Sequence, residues 1–247
     1  MQIKSGIFDL ERDISLKIYA VKIEQIQKHI FEELLSYISV DEQEKIKRFR
    51  RYEDAIRGLT SKMLLRFIIV SLLGEQNKNI HFDKNDYGKP FLVGTKDFHF
   101  NLSHSGDWVV CVVDNLPVGI DVEKIHDVDL NLSKRFFSED EHQYLLTVES
   151  KRRREAFFDL WTLKESYIKA DGRGLSIPLN SFSFSFEGGN IKFKTSNNFG
   201  ECYFKRYEID ASYKLAVCSK KSEFPEGIID ITFDELVRIV QTQLEKQ

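Results

Sequence analysis

The pattern that most restricts the fold is an order of elements that occurs twice. In the first half, a long helical stretch from about Tyr52 to Leu73 ends at Gly74, a residue placed as a helix stop. Strand-like pieces follow, "NIHF", "FHFNLSH" and "WVVCVVD", with Ser105-Gly106-Asp107 as a turn between the last two. The second half starts again with helical stretches around 131–147 and 152–170. It then turns to strands near "SFSFSF", "NIKFK", "CYFKRYEI" and "YKLAVCSK", before a last helix over about 233–245. Both halves read as long helix, glycine stop, strands and a closing hairpin, the signature of a weak internal duplication. It predicts an α+β chain of two similar lobes, residues 1–116 and 117–247, and the cleft between lobes is the natural place for a site. Ahead of the first long helix, "LKIYAVKI" (16–23) reads as a strand. Ile23, Ile26, Ile30, Leu34 and Ile38 recur at helical spacing and predict a helix over 23–38.

The chain has 247 residues, 42% hydrophobic and 13% aromatic, which is enough apolar material for a substantial core. A formal charge of -3 excludes a globally basic nucleic-acid binder, although local patches remain open. The three cysteines, Cys111, Cys202 and Cys218, form no CxxC pair, so neither a zinc knuckle nor a disulfide framework is indicated. Cys111 and Cys218 lie in apolar runs and read as small buried hydrophobes. The N-terminal stretch lacks the features of a signal peptide, and the longest apolar run, around "FIIVSLLG", is too short to cross a membrane. The expectation is a cytoplasmic protein with no membrane and no nucleic-acid partner.

"GIDVEKI" (119–125) is the most unusual strand. Alternation puts Ile120 and Val122 on one face and Asp121 and Glu123 on the other. Paired carboxylates on an apolar strand need water or a cation, so the strand is either a charged edge or half of a metal site. "WTLKESYIKADGRGL" (161–175) reads as a helix running into a glycine stop, with Glu165 and Lys169 one turn apart on one face. Taken alone, that is a surface ion pair. Taken with Asp121 and Glu123, Glu165 completes an all-oxygen donor set suited to Mg²⁺ or Mn²⁺, with Lys169 able to face the same phosphate.

"NLSHSG" (101–106) offers Ser103 and His104 beside a turn, either as structural hydrogen-bonding groups or as phosphate contacts. "YGKPFL" (87–92) shapes a turn around Lys89, an ordinary charged turn or a lysine held at a ligand's edge. "KIKRFRRYEDAIR" (45–57) is a solvated basic helix face or a surface for phosphate or an acidic partner. "SKRRREAF" (150–157) places basic residues at a helix start, where the dipole disfavours them.

"GIDVEKI" followed by "FDLWTLKESYIKADGRGL" resembles the paired signature of 4′-phosphopantetheinyl transferases of the Sfp type. Gly119, Asp121, Glu123, Trp161, Lys164, Glu165, Ser166, Lys169, Gly172 and Gly174 all match its fixed positions. "YGKP" and "FNLSHSGDWVVC" extend the resemblance in the same order over nearly the whole chain. The resemblance implies a pseudo-dimeric α+β fold with the site between its lobes. It also implies transfer of the 4′-phosphopantetheine arm of coenzyme A to a serine of an apo carrier protein, by a monomer, with release of adenosine 3′,5′-bisphosphate. Carried over residue by residue, Asp121, Glu123 and Glu165 are the implied Mg²⁺ ligands. Lys169, Lys89, Ser103 and His104 are the implied coenzyme A contacts, with His104 near the 3′-phosphate and with Arg57 and Lys45 as further contacts. Glu165 and Lys169 are the implied catalytic residues, with Glu165, or a water it holds, as the serine's base. Nonribosomal peptide or polyketide synthesis is the expected setting.

The chain departs from the pattern at two places: relatives tend to carry more lysine or arginine just before the basic helix, where this chain has "VDEQEK" with Glu42 acidic, and they often place a hydroxyl residue where Gly58 follows Arg57. Both bear on the grip on the 3′-phosphate. Two rival readings are a metal-dependent nuclease, for which the second signature has no role, and a cation-stabilised adaptor that grips acidic partners through 45–57.

Overall fold

The computed structural model describes residues 14–247; residues 1–13, which the sequence reading gives to the N-terminal lobe, lie outside the described residues. The N-terminal half contains β1 (Lys17–Lys22), α1 (Lys28–Leu35), α2 (Val40–Lys47), α3 (Tyr52–Leu73), β2 (Phe82–Lys84), β3 (Pro90–Leu92), β4 (His99–Ser105) and β5 (Trp108–Asp114). The remainder comprises β6 (Val118–Lys124), α4 (Leu132–Phe136), α5 (Glu139–Thr147), α6 (Arg153–Asp171), β7 (Phe182–Glu187), β8 (Asn190–Thr195), β9 (Tyr203–Tyr207), β10 (Tyr213–Ser219), β11 (Ile229–Thr232) and α7 (Phe233–Gln243).

Two sheets carry the architecture, in the orders β11-β1-β5-β4 and β6-β10-β9. The period-2 rule explains how they stack. Along β5, Val109, Cys111 and Val113 join the core under α3, while Trp108, Val110 and Val112 join a second core. That second core also takes Val118, Ile120 and Val122 of β6 and Tyr213, Leu215 and Val217 of β10. The sheets therefore pack face to face through β-branched residues. Ala216 and Cys218, on the other face of β10, pack with the apolar residues of α6. The result is four layers: α3, sheet, sheet, α6. Both long helices end where a glycine turns left-handed, Gly74 at φ 70° and Gly172 at φ 89°.

Two expectations are corrected. The helix expected over 23–38 forms only from Lys28 to Leu35. Gln27 is extended and Ile23 donates its N–H to Asp107 O at 2.6 Å, so Ile23 and Ile26 cover the core from a non-helical lead-in. The division at 116/117 fails for the chain's end. β11 pairs in parallel with β1, and Phe233, Leu236, Ile239 and Val240 of α7 sit in the N-terminal core. The apolar stripe of α7 is buried there because α3 and β1 leave that face of the lobe uncovered without it.

Candidate active site

Glycine decides where α6 lies. A Cβ at Gly119 would stand 2.1 Å from Ser166 O and 2.5 Å from Ala170 N, so α6 rests directly on the start of β6. Gly119, Asp121 and Glu123 share one face of β6, and the close approach sets Glu165 and Lys169 over the two carboxylates. Lys169 Nζ donates to Asp121 Oδ1 at 2.5 Å and to Ser103 Oγ at 3.1 Å. The partner of Lys169 is thus a strand carboxylate from the "GIDVEKI" segment.

The edge of the other sheet completes this region. β4 and β6 run side by side without a backbone ladder, joined by alternate polar side chains of β4. Asn101 Oδ1 accepts from Ile120 N at 2.9 Å, Ser103 Oγ from Val122 N at 3.3 Å and Ser105 Oγ from Lys124 N at 3.1 Å. Ser103 and Ser105 also donate to the carboxylates of Asp121 and Glu123, at 3.0 and 2.8 Å. The seam between lobes therefore satisfies an otherwise open strand edge and fixes both acids. Asn101 and Ser105 escaped the sequence reading, although polar residues at i, i+2 and i+4 of an apolar strand were the available signal.

Beside the seam lies a cavity of about 560 Å³. Lys45, Phe49, Gly58, Ser61, Lys62 and His104 line it from one lobe, and Asp121, Glu123, Trp161, Glu165 and Lys169 from the other, with Ser103 between. Seven of the expected residues, Lys45, Ser103, His104, Asp121, Glu123, Glu165 and Lys169, thus meet at one cavity.

Arg57 and Lys89 stand apart from that lining. Arg57 donates to Gly106 O at 2.8 Å and pairs with Asp54, close enough to His104 to act on it electrostatically. Lys89 is half-buried, and its ammonium donates to Val118 O at 3.3 Å and Ala170 O at 3.0 Å, while Asn85 Nδ2 donates to Gly172 O at 2.9 Å. The Lys89 turn thus caps the carbonyl end of α6. Burial lowers the Lys89 pKa to about 8.

The electrostatics of the acids have one dominant cause. Burial raises Asp121 against the pull of Lys169, and burial and then Asp121 raise Glu123. Glu165 is pushed up to about 7 by burial first and by Asp121 next. His104 is held down by desolvation and then by Arg57. Among the described residues, no three His, Cys, Asp or Glu side chains stand ready as a metal cage. The donor chemistry nevertheless fits a hard cation: three oxygen acids repel one another, and Asp121 Oδ2 is buried without a hydrogen-bond partner.

The two departures have structural explanations. Glu42 closes the N-terminus of α2 with Ser39 and pairs with Arg66 at 2.6 Å and Lys62 at 3.0 Å. Burial of its carboxyl is outweighed by Lys62 and Arg66, which hold its pKa low. A Cβ at Gly58 would meet Ile46 Cδ1 at 2.8 Å and the Phe49 ring at 3.0 Å, so glycine lets α2 close on α3.

Comparison with known proteins points one way. Residues 117–218 match the profile of the 4′-phosphopantetheinyl transferase superfamily, and residues 25–115 that of the N-terminal part of a 4′-phosphopantetheinyl transferase. The 4′-phosphopantetheinyl transferase Sfp of Bacillus subtilis (strain 168) is 39% identical over 224 residues, covering 90% of this chain and 100% of the relative. The 4′-phosphopantetheinyl transferase gsp of Aneurinibacillus migulanus is 39% identical over 195 residues, 79% of this chain and 81% of its own. Among solved structures, the holo-[acyl-carrier-protein] synthase of Thermotoga maritima is 27% identical, with a TM-score of 0.37, over 42% of this chain and 61% of that one.

Proposed function

Because the chain belongs to the 4′-phosphopantetheinyl transferase superfamily and is such an enzyme, we propose that its substrate pair is coenzyme A and the serine of an apo carrier protein. The products are the holo carrier protein and adenosine 3′,5′-bisphosphate, and the pathway served is nonribosomal peptide or polyketide synthesis. The observation that carries this reading is the meeting of three acids, Lys169 and His104 at one cavity walled by both lobes.

Phosphoryl transfer of this kind needs placement and charge neutralisation more than covalent help. Asp121, Glu123 and Glu165 would hold Mg²⁺, which neutralises pyrophosphate charge when bound. The remaining work falls to side chains. Lys169 presents an ammonium to the phosphates, and His104 and Lys45 receive the 3′-phosphate from the opposite wall. Ser103 and Ser105 keep Asp121 and Glu123 in place through their hydroxyls. Glu165, or a water it holds, is placed at the cavity to take the serine proton. Arg57 acts on His104 from the rim, and Lys89 acts through the helix end that it caps.

The test is intact-mass analysis of several apo carrier proteins after incubation with coenzyme A and Mg²⁺. The expected result is a mass gain of one phosphopantetheine arm that requires both additions. Unmodified carriers of every class, with no stabilisation of the enzyme by coenzyme A, would overturn the assignment.

A further inference from the structure

Away from the cavity, on the face of β10 turned to α6, two cysteines and a lysine stand together. The β9–β10 register sets Cys218 opposite Phe204 and Ser219 opposite Tyr203, which places Cys202, just before β9, opposite Lys220. Opposed residues share a face, as do residues two apart on a strand, so all three side chains project to one side. The contacts agree. Lys220 Nζ donates to Cys202 Sγ at 3.6 Å and to Phe199 O at 2.6 Å, with the ammonium 4.1 Å from the Phe199 ring centroid. The lysine is thereby held with one N–H on sulfur. The same register sets Cys202 diagonally across from Cys218 on that face.

The two sulfurs are unequal. The Cys218 thiol and then Lys220 hold Cys202 below the usual thiol range, while burial drives Cys218 well above it. Access is unequal too. Both are buried, but Cys202 keeps 7% of its surface exposed and lines a groove of about 1020 Å³ with Phe193, Lys194, Tyr203 and Phe204, whereas Cys218 is fully enclosed. Cys111, the remaining cysteine, lies in the α3 core, where burial alone sets its pKa far above the usual range. A thiol beside a cation, at the wall of a groove and diagonally across two strands from a second thiol, is the arrangement that redox-sensitive cysteines share.

We propose that Cys202 and Cys218 form a peroxide-sensitive dithiol, with Cys202 as the attacking sulfur and Cys218 as the resolving one, closing to an intramolecular disulfide. In the first step the Cys202 thiolate attacks one oxygen of hydrogen peroxide. The O–O bond breaks, the departing hydroxide is protonated to water, and Cys202 becomes a sulfenic acid. The Cys218 sulfur then attacks the Cys202 sulfur, the S–O bond breaks, and the departing hydroxide takes the Cys218 proton as a second water. Two thiols are oxidised and one peroxide is reduced to two waters. Diagonal positions across strands lie about 7–8 Å apart at Cα, and disulfides span up to about 6.8 Å, so closure needs a shift of roughly an ångström. Cys202 precedes the ladder of β9 and is free of its hydrogen bonds, which makes that shift local. The proposal does not depend on which substrate the enzyme uses.

The experiment treats the reduced full-length protein with hydrogen peroxide, then alkylates it after unfolding and maps the peptides. The expected product is two hydrogens lighter, carries a Cys202–Cys218 cross-link with Cys111 alkylated, and reverts with dithiothreitol. In Cys218→Ser, a sulfenic-acid trap such as dimedone should mark Cys202. In Cys202→Ser, the same dose should leave Cys218 unmarked. If Cys218→Ser folds poorly, the wild-type map decides alone. Full alkylation of both thiols after peroxide, a bond between two chains, or equal marking of Cys218 in Cys202→Ser would overturn the proposal.

Discussion

Lys164 and Glu141 form an ion pair at 2.7 Å in which both side chains are wholly buried. Lys164 Nζ also donates to Leu179 O and Phe182 O, at 2.7 and 2.8 Å. Glu141 accepts from Ser138 N, closing the N-terminus of α5, and from Phe184 N. One buried pair thus ties α5, α6 and β7 together beneath the helix that carries Glu165. The N-terminal lobe repeats the device: Ser39 and Glu42 form the capping box of α2, and Glu42 pairs with the buried Arg66 of α3. The duplicated element order therefore extends to a duplicated polar anchor.

Replacing Lys164 by Met should destabilise the protein by about 3–5 kcal/mol, because Glu141 would be left charged and buried. Urea denaturation of purified Lys164→Met against wild type checks this. Adding Glu141→Gln should recover part of the loss but not all, since the two backbone N–H groups that Glu141 caps lose a charged acceptor. A Lys164→Met protein of unchanged stability would show that the pair contributes nothing.

Asn101→Ala should cost about 1–3 kcal/mol, the penalty for leaving the buried Ile120 N–H without its acceptor, and Ser105→Ala should cost less, because the Lys124 N–H that it serves is exposed. Ser105→Ala should in addition lower transfer rate, because Ser105 fixes Glu123. Paired denaturation and rate measurements separate the two. An Asn101→Ala protein whose rate falls far more than its stability would contradict the purely structural role given to Asn101.

What could be read in the sequence and what could not divides along a physical line. Periodicity exposed α3 and α6, their glycine stops and the alternating acids of β6, since each depends only on neighbours in the chain. Ile23 and Ile26 had helical spacing yet serve an extended lead-in, because burial can be satisfied by either geometry. The return of β11 to β1 is a long-range pairing with no local trace. Lys89 was expected at a ligand's edge, but its ammonium donates to carbonyls of β6 and α6 away from the cavity lining, which only the packing of the two lobes reveals. The partner of Lys169 was likewise invisible, because Asp121 is brought under it by the absence of a side chain at Gly119.

Stability without Mg²⁺ should fall as pH rises. The Glu165 carboxyl titrates at about 7 when folded against 4.5 ordinarily, so between those values the folded state binds more protons than the unfolded state. Stability then declines with pH across that window and levels off above it. Asp121 and Glu123 are shifted in the same direction and add to the slope. Thermal midpoints from about pH 5 to about pH 8 should show the decline, and Glu165→Gln should flatten it. A midpoint that climbs through this range in wild type and variant alike would contradict the raised carboxyl.

His104→Ala should weaken coenzyme A more than its 3′-dephospho form. Loss of one charge-assisted hydrogen bond corresponds to about 1.5–3 kcal/mol in binding, and only the full substrate offers the 3′-phosphate. Calorimetric titration with both forms decides it, and equal losses would remove His104 from that role.

Lys169 separates a surface ornament from a working group. An exchange of Glu165 and Lys169 would be a poor test, because a carboxylate at 169 would face the buried Asp121 at the distance now bridged by an ammonium. Lys169→Ala is cleaner. It leaves Asp121 with Ser103 at one oxygen and no partner at the other. Without Mg²⁺, the variant should therefore unfold at a lower temperature than wild type. With Mg²⁺, it should gain more than wild type does, since a cation then supplies the charge that the side chain no longer brings. At saturating coenzyme A and carrier protein, single-turnover transfer should slow by roughly 10²–10³-fold, the loss seen when one donor to developing charge is removed. A surface pair predicts neither effect, since exposed pairs contribute at most about 1 kcal/mol and touch no substrate. Wild-type transfer rates together with an unchanged midpoint in Lys169→Ala would return the residue to that class.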